Sequence, residues 1–311
     1  MPSTKRSCPE MSQSRLAVIT NSLRNIANGY NRLSAIAFAV LITAGLAAGH
    51  SYDDLLDGYG KIDLPLAILW LWIGITLPWK VRVKRDITLL FVALLGGAVI
   101  EWWGTTTDLW WYYTRERPPL WIIPAWCTAA LASDRTALLL TALFEQSSSP
   151  AADCPSQAPH LSQSESQMAA LPPASSRWRV AYFTIVPGFV LGMLHFLWPS
   201  LKHTASWVVS AIMLGVTFFK PKPKRDTIAF IGASLVGWLI EYWGTTRHCW
   251  TYYTRSTPPF IAVLAHGFAT LAFLRAVDLV LEILPAFAAT KFRNTAPSSE
   301  LNPQNNANPG A

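Results

Sequence analysis

The sequence predicts an all-α membrane protein in which eight transmembrane helices form two parallel four-helix repeats. Hydrophobic residues make up 51% of the chain and charged residues 14%, and apolar runs of membrane-spanning length recur along it. The stretch at 84–135 occurs again, without a gap, as 224–275. Each half contains an even number of apolar runs, so both halves would cross the membrane in the same direction.

Composition divides the chain into five segments. Residues 1–33 are polar and basic and predict a cytoplasmic tail, and residues 145–177, rich in Ser, Pro, Gln and Ala, predict a disordered linker. The polar residues 288–311 predict a disordered tail. The two repeats, 34–144 and 178–287, contain the predicted spans 34–49, 64–79, 87–103 and 120–132, then 178–198, 204–219, 227–243 and 260–274.

The distribution of basic residues predicts the orientation in the membrane. The short loops 80–85 and 220–225 are basic, and both fall on the same side as the two termini. The positive-inside rule therefore predicts a multi-pass protein of the bacterial inner (plasma) membrane, with cytoplasmic N- and C-termini. The net charge of +7 is explained by these tails and loops, so it does not indicate a nucleic-acid partner.

The repeated stretch places a glutamate at the end of a small-residue stripe. Ala93, Gly97 and Glu101 are spaced by four residues, and Ala233, Gly237 and Glu241 repeat this spacing. Residues four apart share one helix face, and small residues allow a second helix to approach closely. We therefore expect both glutamates to face protein rather than lipid. The spans that follow carry similar stripes, which makes them the expected packing partners: Ala125, Ala129 and Ala132, then Ala265, Ala269 and Ala272.

The sequence predicts a site at the outward-facing surface of the membrane. These glutamates and the residues after them that match between the two halves would form it. Intramembrane carboxyls are usually functional, and a histidine inside a span adds a second proton-exchanging group. The predicted catalytic residues are Glu101, Glu241 and His266. The predicted substrate-binding residues are Arg115, Arg255, Tyr112, Tyr252, Thr105 and Thr245. The histidine spacing predicts no metal site, and the sequence identifies no cofactor.

Structural interpretations of the same residues remain open. Arg115 and Arg255 would serve equally well as ion-pair partners of the glutamates, and the threonines would satisfy carbonyl groups at a helix end. Trp102, Trp110 and Trp111 are typical of the aromatic belt at a membrane interface.

The segment E-W-W-G-T-T-T followed by W-Y-Y-T, 101–107 and 111–114, resembles a motif of the carotenoid-hydratase type of membrane proteins. The likeness covers about thirty residues in each half, whereas the tandem arrangement departs from that family. The resemblance implies that Glu101 and Glu241 are acid-base groups for adding water to an isoprenoid double bond.

Three functions are compatible with the sequence. The first is a protein that acts on a lipid or isoprenoid, with a membrane lipid or an apolar small molecule as its partner. The second is a proton- or cation-coupled transporter, and the third is a structural membrane subunit. The sequence contains no phosphate-binding loop, nucleophile elbow or HExxH motif, so it gives no support to the chemistries that depend on them.

Overall fold

The computed structural model describes residues 27–51, 64–147 and 174–295, and these form eight α-helices and two short strands. The first half contains α1 (Arg32–Ser51), α2 (Leu64–Thr76), α3 (Val83–Thr106), β1 (Trp110–Tyr112) and α4 (Ile122–Ser147). The second half contains α5 (Ala174–Phe196), α6 (Thr204–Phe218), α7 (Pro223–Thr246), β2 (Trp250–Tyr252) and α8 (Phe260–Thr295). A 3-10 turn, Trp198–Ser200, precedes α6.

The prediction of a multi-pass helical membrane protein is confirmed at this level. Five helices, α3, α4, α5, α7 and α8, are long and apolar enough to cross a bilayer. The apolar segments Arg32–Ala44, Leu64–Thr76 and Thr204–Phe218 are shorter. At 1.5 Å per residue, the 13 residues of α2 span about 20 Å, which is less than the roughly 30 Å hydrocarbon core.

Two predicted spans continue as helices well beyond their predicted ends. The predicted spans 120–132 and 260–274 stop where charged residues begin, but α4 extends to Ser147 and α8 to Thr295. Arg135 and Arg275 are nearly fully buried within these helices because carboxylates pair with them. Helix α8 thereby passes residue 288, where the sequence predicts a disordered tail, while residues 1–26, 148–173 and 296–311 of the predicted tails and linker lie outside the described residues.

Helices α3 and α7 begin and end in the same way. Each N-terminus is capped by an aspartate: Asp86 Oδ2 accepts a hydrogen bond from Arg82 N at 2.8 Å, and Asp226 Oδ2 accepts one from Lys222 N at 2.6 Å. Each helix is followed, two residues after its last one, by a residue in the left-handed conformation. This residue is Asp108, with φ 57°, after α3 and His248, with φ 56°, after α7. The chain then reverses into the strand that follows.

Helices α3, α4, α7 and α8 form the centre of the fold, as the small-residue stripes predict. Ala93 and Ala233 are fully buried. A Cβ atom added at Gly97 would overlap Trp126, and one added at Gly237 would overlap His266. These glycines therefore bring a ring of α4 or α8 against the backbone one turn before each glutamate.

The two halves are joined beyond these helix ends by an antiparallel pair of strands, β1 and β2. Trp110 pairs with Tyr252, Trp111 with Thr251, and Tyr112 with Trp250. The pairing is reciprocal, because each strand contributes its tryptophan opposite the tyrosine of the other strand. The consequence is that two Trp-Tyr pairs lie close together beside the ends of α3 and α7.

Candidate functional site

Glu101 is buried within a set of three hydrogen-bond donors. The residue as a whole is 4% exposed. Trp110 Nε1 and Tyr112 OH donate to Oε2 at 3.1 and 2.8 Å, and Trp126 Nε1 donates to Oε1 at 2.8 Å. Because a buried carboxyl needs such partners, these three rings satisfy Glu101 without a cation.

Glu241 has the same two donors from its own half and a different third partner. The residue as a whole is 3% exposed. Trp250 Nε1 donates to Oε2 at 3.0 Å, and Tyr252 OH donates to Oε1 at 2.8 Å. The third partner is His266, whose Nε2 lies 2.9 Å from Oε1. This contact joins a carboxyl group and an imidazole ring.

The local sequence explains how each tryptophan reaches its glutamate. Gly104 and Gly244 lie three residues after the glutamates, and an added Cβ would overlap the six-membered ring of Trp110 or Trp250. The tight turn at Asp108 or His248 returns the chain so that the strand tryptophan packs over this glycine. The motif of glutamate, glycine and returning tryptophan therefore forms one structural unit.

Trp126 and His266 connect the two glutamates across the centre of the molecule. Their rings are stacked, with centroids 5.2 Å apart and planes inclined by 17°. Each ring also contacts the glutamate of its own half. The side chains of Glu101, Trp126, His266 and Glu241 thus form a continuous series of contacts between the halves.

Both glutamates open onto one cavity of about 530 Å³. All eight helices of the described part of the chain contribute lining residues, and most of these are apolar or aromatic. The polar side chains in the lining include Glu101, Tyr112, Glu241, Tyr252 and His266. The cavity therefore matches an apolar molecule with one or two polar contacts near the glutamates.

The two strand tyrosines are held in their neutral form. Burial, and then the neighbouring Glu101 carboxyl, hold the pKa of Tyr112 well above its ordinary value. Burial and Glu241 do the same to the pKa of Tyr252. Both hydroxyls therefore remain donors to the glutamates at neutral and moderately alkaline pH.

The structure brings together five of the nine predicted site residues: Glu101, Glu241, His266, Tyr112 and Tyr252. Thr105 and Thr245 are 1% exposed, and their hydroxyls donate to the backbone carbonyls of Glu101 and Glu241, each at 2.6 Å. This is the helix-end role that the sequence left open. A contact between these threonines and a substrate stays a prediction.

Arg115 and Arg255 lie in the exposed part of the turns after β1 and β2, with φ of 64° and 57°. Among the described residues, the hydrogen-bond partners of the two carboxyls are aromatic and imidazole side chains rather than these arginines. The sequence left open an ion pair between each glutamate and an arginine. In the structure, ring N–H and O–H groups occupy the hydrogen-bonding positions that such an arginine would take. A role for the arginines in substrate binding stays a prediction.

Sequence reasoning missed three tryptophans of the site. It assigned Trp110 to the interface belt and made no assignment for Trp126 and Trp250, yet all three line the cavity and two donate to Glu101. For Trp110 and Trp250 the available signal was the glycine three residues after each glutamate, and for Trp126 it was Gly97, because a glycine at these positions leaves room for a ring. Trp102, by contrast, is 49% exposed, as the belt assignment requires.

No protein-family model, curated protein or solved structure matches this chain. Within the described residues, no group of three or more His, Cys, Asp and Glu side chains is arranged to hold a metal ion.

Proposed function

We propose that this protein binds a membrane lipid or isoprenoid in the central cavity and transfers a proton to or from it through Glu241 and His266. One observation carries the proposal: two glutamates, each at least 96% buried, face a cavity of about 530 Å³ with mostly apolar walls. Apolar walls select an apolar ligand, and a buried carboxyl beside such a ligand is suited to acid-base chemistry.

Glu241 and His266 would exchange the proton with the ligand. Glu101 would keep its three hydrogen-bond donors in position. Glu241 contacts an imidazole, whose ring nitrogens can both accept and donate a proton. The three partners of Glu101 are two indoles and a phenol, none of which readily accepts its proton. The chemical difference between the sites favours a single reacting centre on the side of Glu241.

The proposal includes an architecture of two parallel four-helix repeats with eight spans. The order of elements in the two halves and the reciprocal pairing of β1 with β2 support a local two-fold relation. Exposed apolar side chains on the three short apolar segments, among them Leu46, Leu71 and Ile212, support their lying in lipid as well.

The proposed location is the bacterial inner membrane with both termini in the cytoplasm. The basic residues at the N-terminal ends of α3 and α7 lie at the opposite end of these helices from Glu101 and Glu241. By the positive-inside rule, the basic end faces the cytoplasm and the glutamates lie toward the outer interface.

The test is to identify what the cavity holds. We would purify the wild type and the Glu241→Gln, Glu101→Gln and Glu145→Gln variants in mild detergent, then extract and analyse their small molecules by absorption and mass spectrometry. Glu145 is the control because it is exposed and pairs with Lys224 at the other end of the fold.

We expect a defined lipid or isoprenoid in the wild type and in Glu145→Gln, and its unreacted precursor in Glu241→Gln. Ordinary bulk phospholipid in all four proteins would overturn the proposal. A proton- or cation-coupled carrier would instead show the same unaltered ligand in every variant, together with Glu241-dependent proton uptake in proteoliposomes.

A further inference from the structure

The end of the bundle opposite the glutamates holds an excess of positive charge. Glu101 lies 18 residues after Val83, the first residue of α3, so about 27 Å of helix separates the two ends. Seven cationic side chains here face four carboxylates. The cations are Arg82, Lys84, Arg85, Arg135, Lys222, Arg225 and Arg275, and the carboxylates are Asp86, Asp134, Asp226 and Asp278.

Two of the four carboxylates, those of Asp278 and Asp134, are each shared among several of these cations. Asp278 contacts Arg85 at 2.9 Å and Lys222 at 3.2 Å, and it also contacts Arg225. Asp134 contacts Arg82 at 2.5 Å and Arg135 at 2.7 Å. Because Asp278 and Asp134 each contact two or more cations, part of the positive charge lacks a matching negative charge. Glu282, which is exposed on α8, reduces this excess of positive charge without removing it.

A second cavity, shallow and wide open, of about 390 Å³, lies at this charged end. Its lining consists of Arg82, Val83, Lys84, Arg85 and Leu281, so three of its five residues are cationic and two are aliphatic. Lys84 is exposed and has no carboxylate partner within the described part of the chain. Arg85 has a buried Nε without a hydrogen-bond partner. Lys84 thus has bonding capacity left for an anion, and Arg82 and Arg85 add positive charge beside it.

An exposed apolar stripe begins at this cavity and runs along α3. Val83, Ile87, Phe91 and Leu95 are spaced by four residues, so they share one face of the helix. Their exposed fractions are 49%, 56%, 65% and 60%. A hydrocarbon chain lying on this stripe would have its polar end at the cavity, because Val83 belongs to both.

We propose that the cavity lined by Arg82, Lys84 and Arg85 binds the phosphate group of an anionic membrane lipid, with an acyl chain along Val83, Ile87, Phe91 and Leu95. Guanidinium groups form paired hydrogen bonds to phosphate oxygens, and lysine adds charge. Basic pockets between membrane helices on the cytoplasmic side suit such headgroups. This binding is independent of the proton transfer proposed above, so either proposal would survive failure of the other.

The experiment is a lipid titration followed by native mass spectrometry of the detergent-purified protein. The probes are phosphatidylglycerol, which is anionic, and phosphatidylcholine, which has the same glycerophosphate backbone but no net charge. The test variant is Lys84→Gln, because Lys84 has no ion pair to lose among the described residues. The control is Lys224→Gln at the matching position of the second half, where the charge is already paired with Glu145 at 2.9 Å.

We expect the wild type and Lys224→Gln to retain one phosphatidylglycerol in preference to phosphatidylcholine. Lys84→Gln should weaken this binding about fivefold, which corresponds to roughly 1 kcal/mol for one charge near a membrane surface. Phe91→Gln should weaken it as well, because it removes a contact with the acyl chain. Equal retention of the two lipids, or equal losses in Lys84→Gln and Lys224→Gln, would overturn the proposal.

Competition with inorganic phosphate distinguishes the two sources of a phosphate group. If the bound lipid is a true ligand, millimolar inorganic phosphate should leave phosphatidylglycerol in place, because the acyl chain contributes to its affinity. Displacement of the lipid by inorganic phosphate would overturn the lipid assignment and identify free phosphate as the ligand.

Discussion

The environments of Glu101 and Glu241 share a scaffold and differ in one ring. In both, a glycine three residues on makes room for a tryptophan, and the strand tryptophan and tyrosine donate to the carboxyl. The third partner is Trp126 on one side and His266 on the other. The shared part provides a buried, hydrogen-bonded carboxyl, whereas the differing part decides whether that carboxyl has a neighbour that takes up protons.

The comparison therefore separates the residues that maintain the structure of both sites from the one position at which the two sites differ chemically. A change to the shared scaffold should affect both halves alike, because the same glycine, tryptophan and tyrosine contacts occur twice. A change at Trp126 or His266 should affect them differently. The predictions below use this contrast.

The largest effect should follow from altering the differing ring. If the protein has the proposed function, we expect His266→Gln to lower conversion of the proposed ligand by about 10²- to 10⁴-fold, because Gln keeps a hydrogen bond to Glu241 but exchanges no proton. Trp126→His, which places an imidazole beside Glu101, should retain most of the conversion. The measurement is turnover of the extracted ligand by purified protein, and equal losses in the two variants would show that the halves contribute alike.

A smaller effect, on stability, should follow from filling the shared glycine positions. Gly104→Ala and Gly244→Ala should each lower the free energy of unfolding by about 1–3 kcal/mol, because the added methyl overlaps Trp110 or Trp250. The two losses should be similar. Thermal unfolding in detergent, followed by tryptophan fluorescence, measures them.

Gly188→Ala in α5 and Gly215→Ala in α6 are the matched controls. Nothing lies within 4 Å of a Cβ atom at either position. Alanine there should leave stability unchanged or raise it by about 0.5–1 kcal/mol, because glycine is a poor helix former. Losses at Gly104 and Gly244 no larger than those of the controls would refute the shared scaffold.

The smallest effect should appear only at alkaline pH. Burial, with the neighbouring glutamate, raises the pKa of both Tyr112 and Tyr252 well above 10.0. Between that value and the raised pKa, the unfolded chain has lost these protons while the folded chain keeps them. The stability contributed by the two tyrosines is thus complete below about pH 10 and is lost as the pH rises further.

The near-ultraviolet absorbance of tyrosinate measures this directly. We expect the folded protein to show a late ionisation step that Tyr112→Phe and Tyr252→Phe each reduce by the same amount. The denatured wild type is the reference and should ionise without the late step. Coincident titration curves for folded and denatured protein would contradict the expectation.

Much of the architecture follows from local pattern. The spacing of Ala93, Gly97 and Glu101 correctly predicted a close-packed helix face and a glutamate turned toward protein. The end of α4 did not follow, since Arg135 reads as the end of an apolar run. Arg135 and its counterpart Arg275 are buried because Asp86 and Asp226, distant in sequence, supply the compensating charge.

The sequence by itself determined the helices, their apolar character, the repeated glutamate motif and the difference between Trp126 and His266. These properties depend on residue type and on spacing along one helix, which the chain displays directly. Only the tertiary structure decided that Trp110 and Trp250 reach the glutamates, that Trp126 stacks on His266, and that one cavity joins the halves. Those contacts depend on distances between different helices and strands, which local periodicity does not specify.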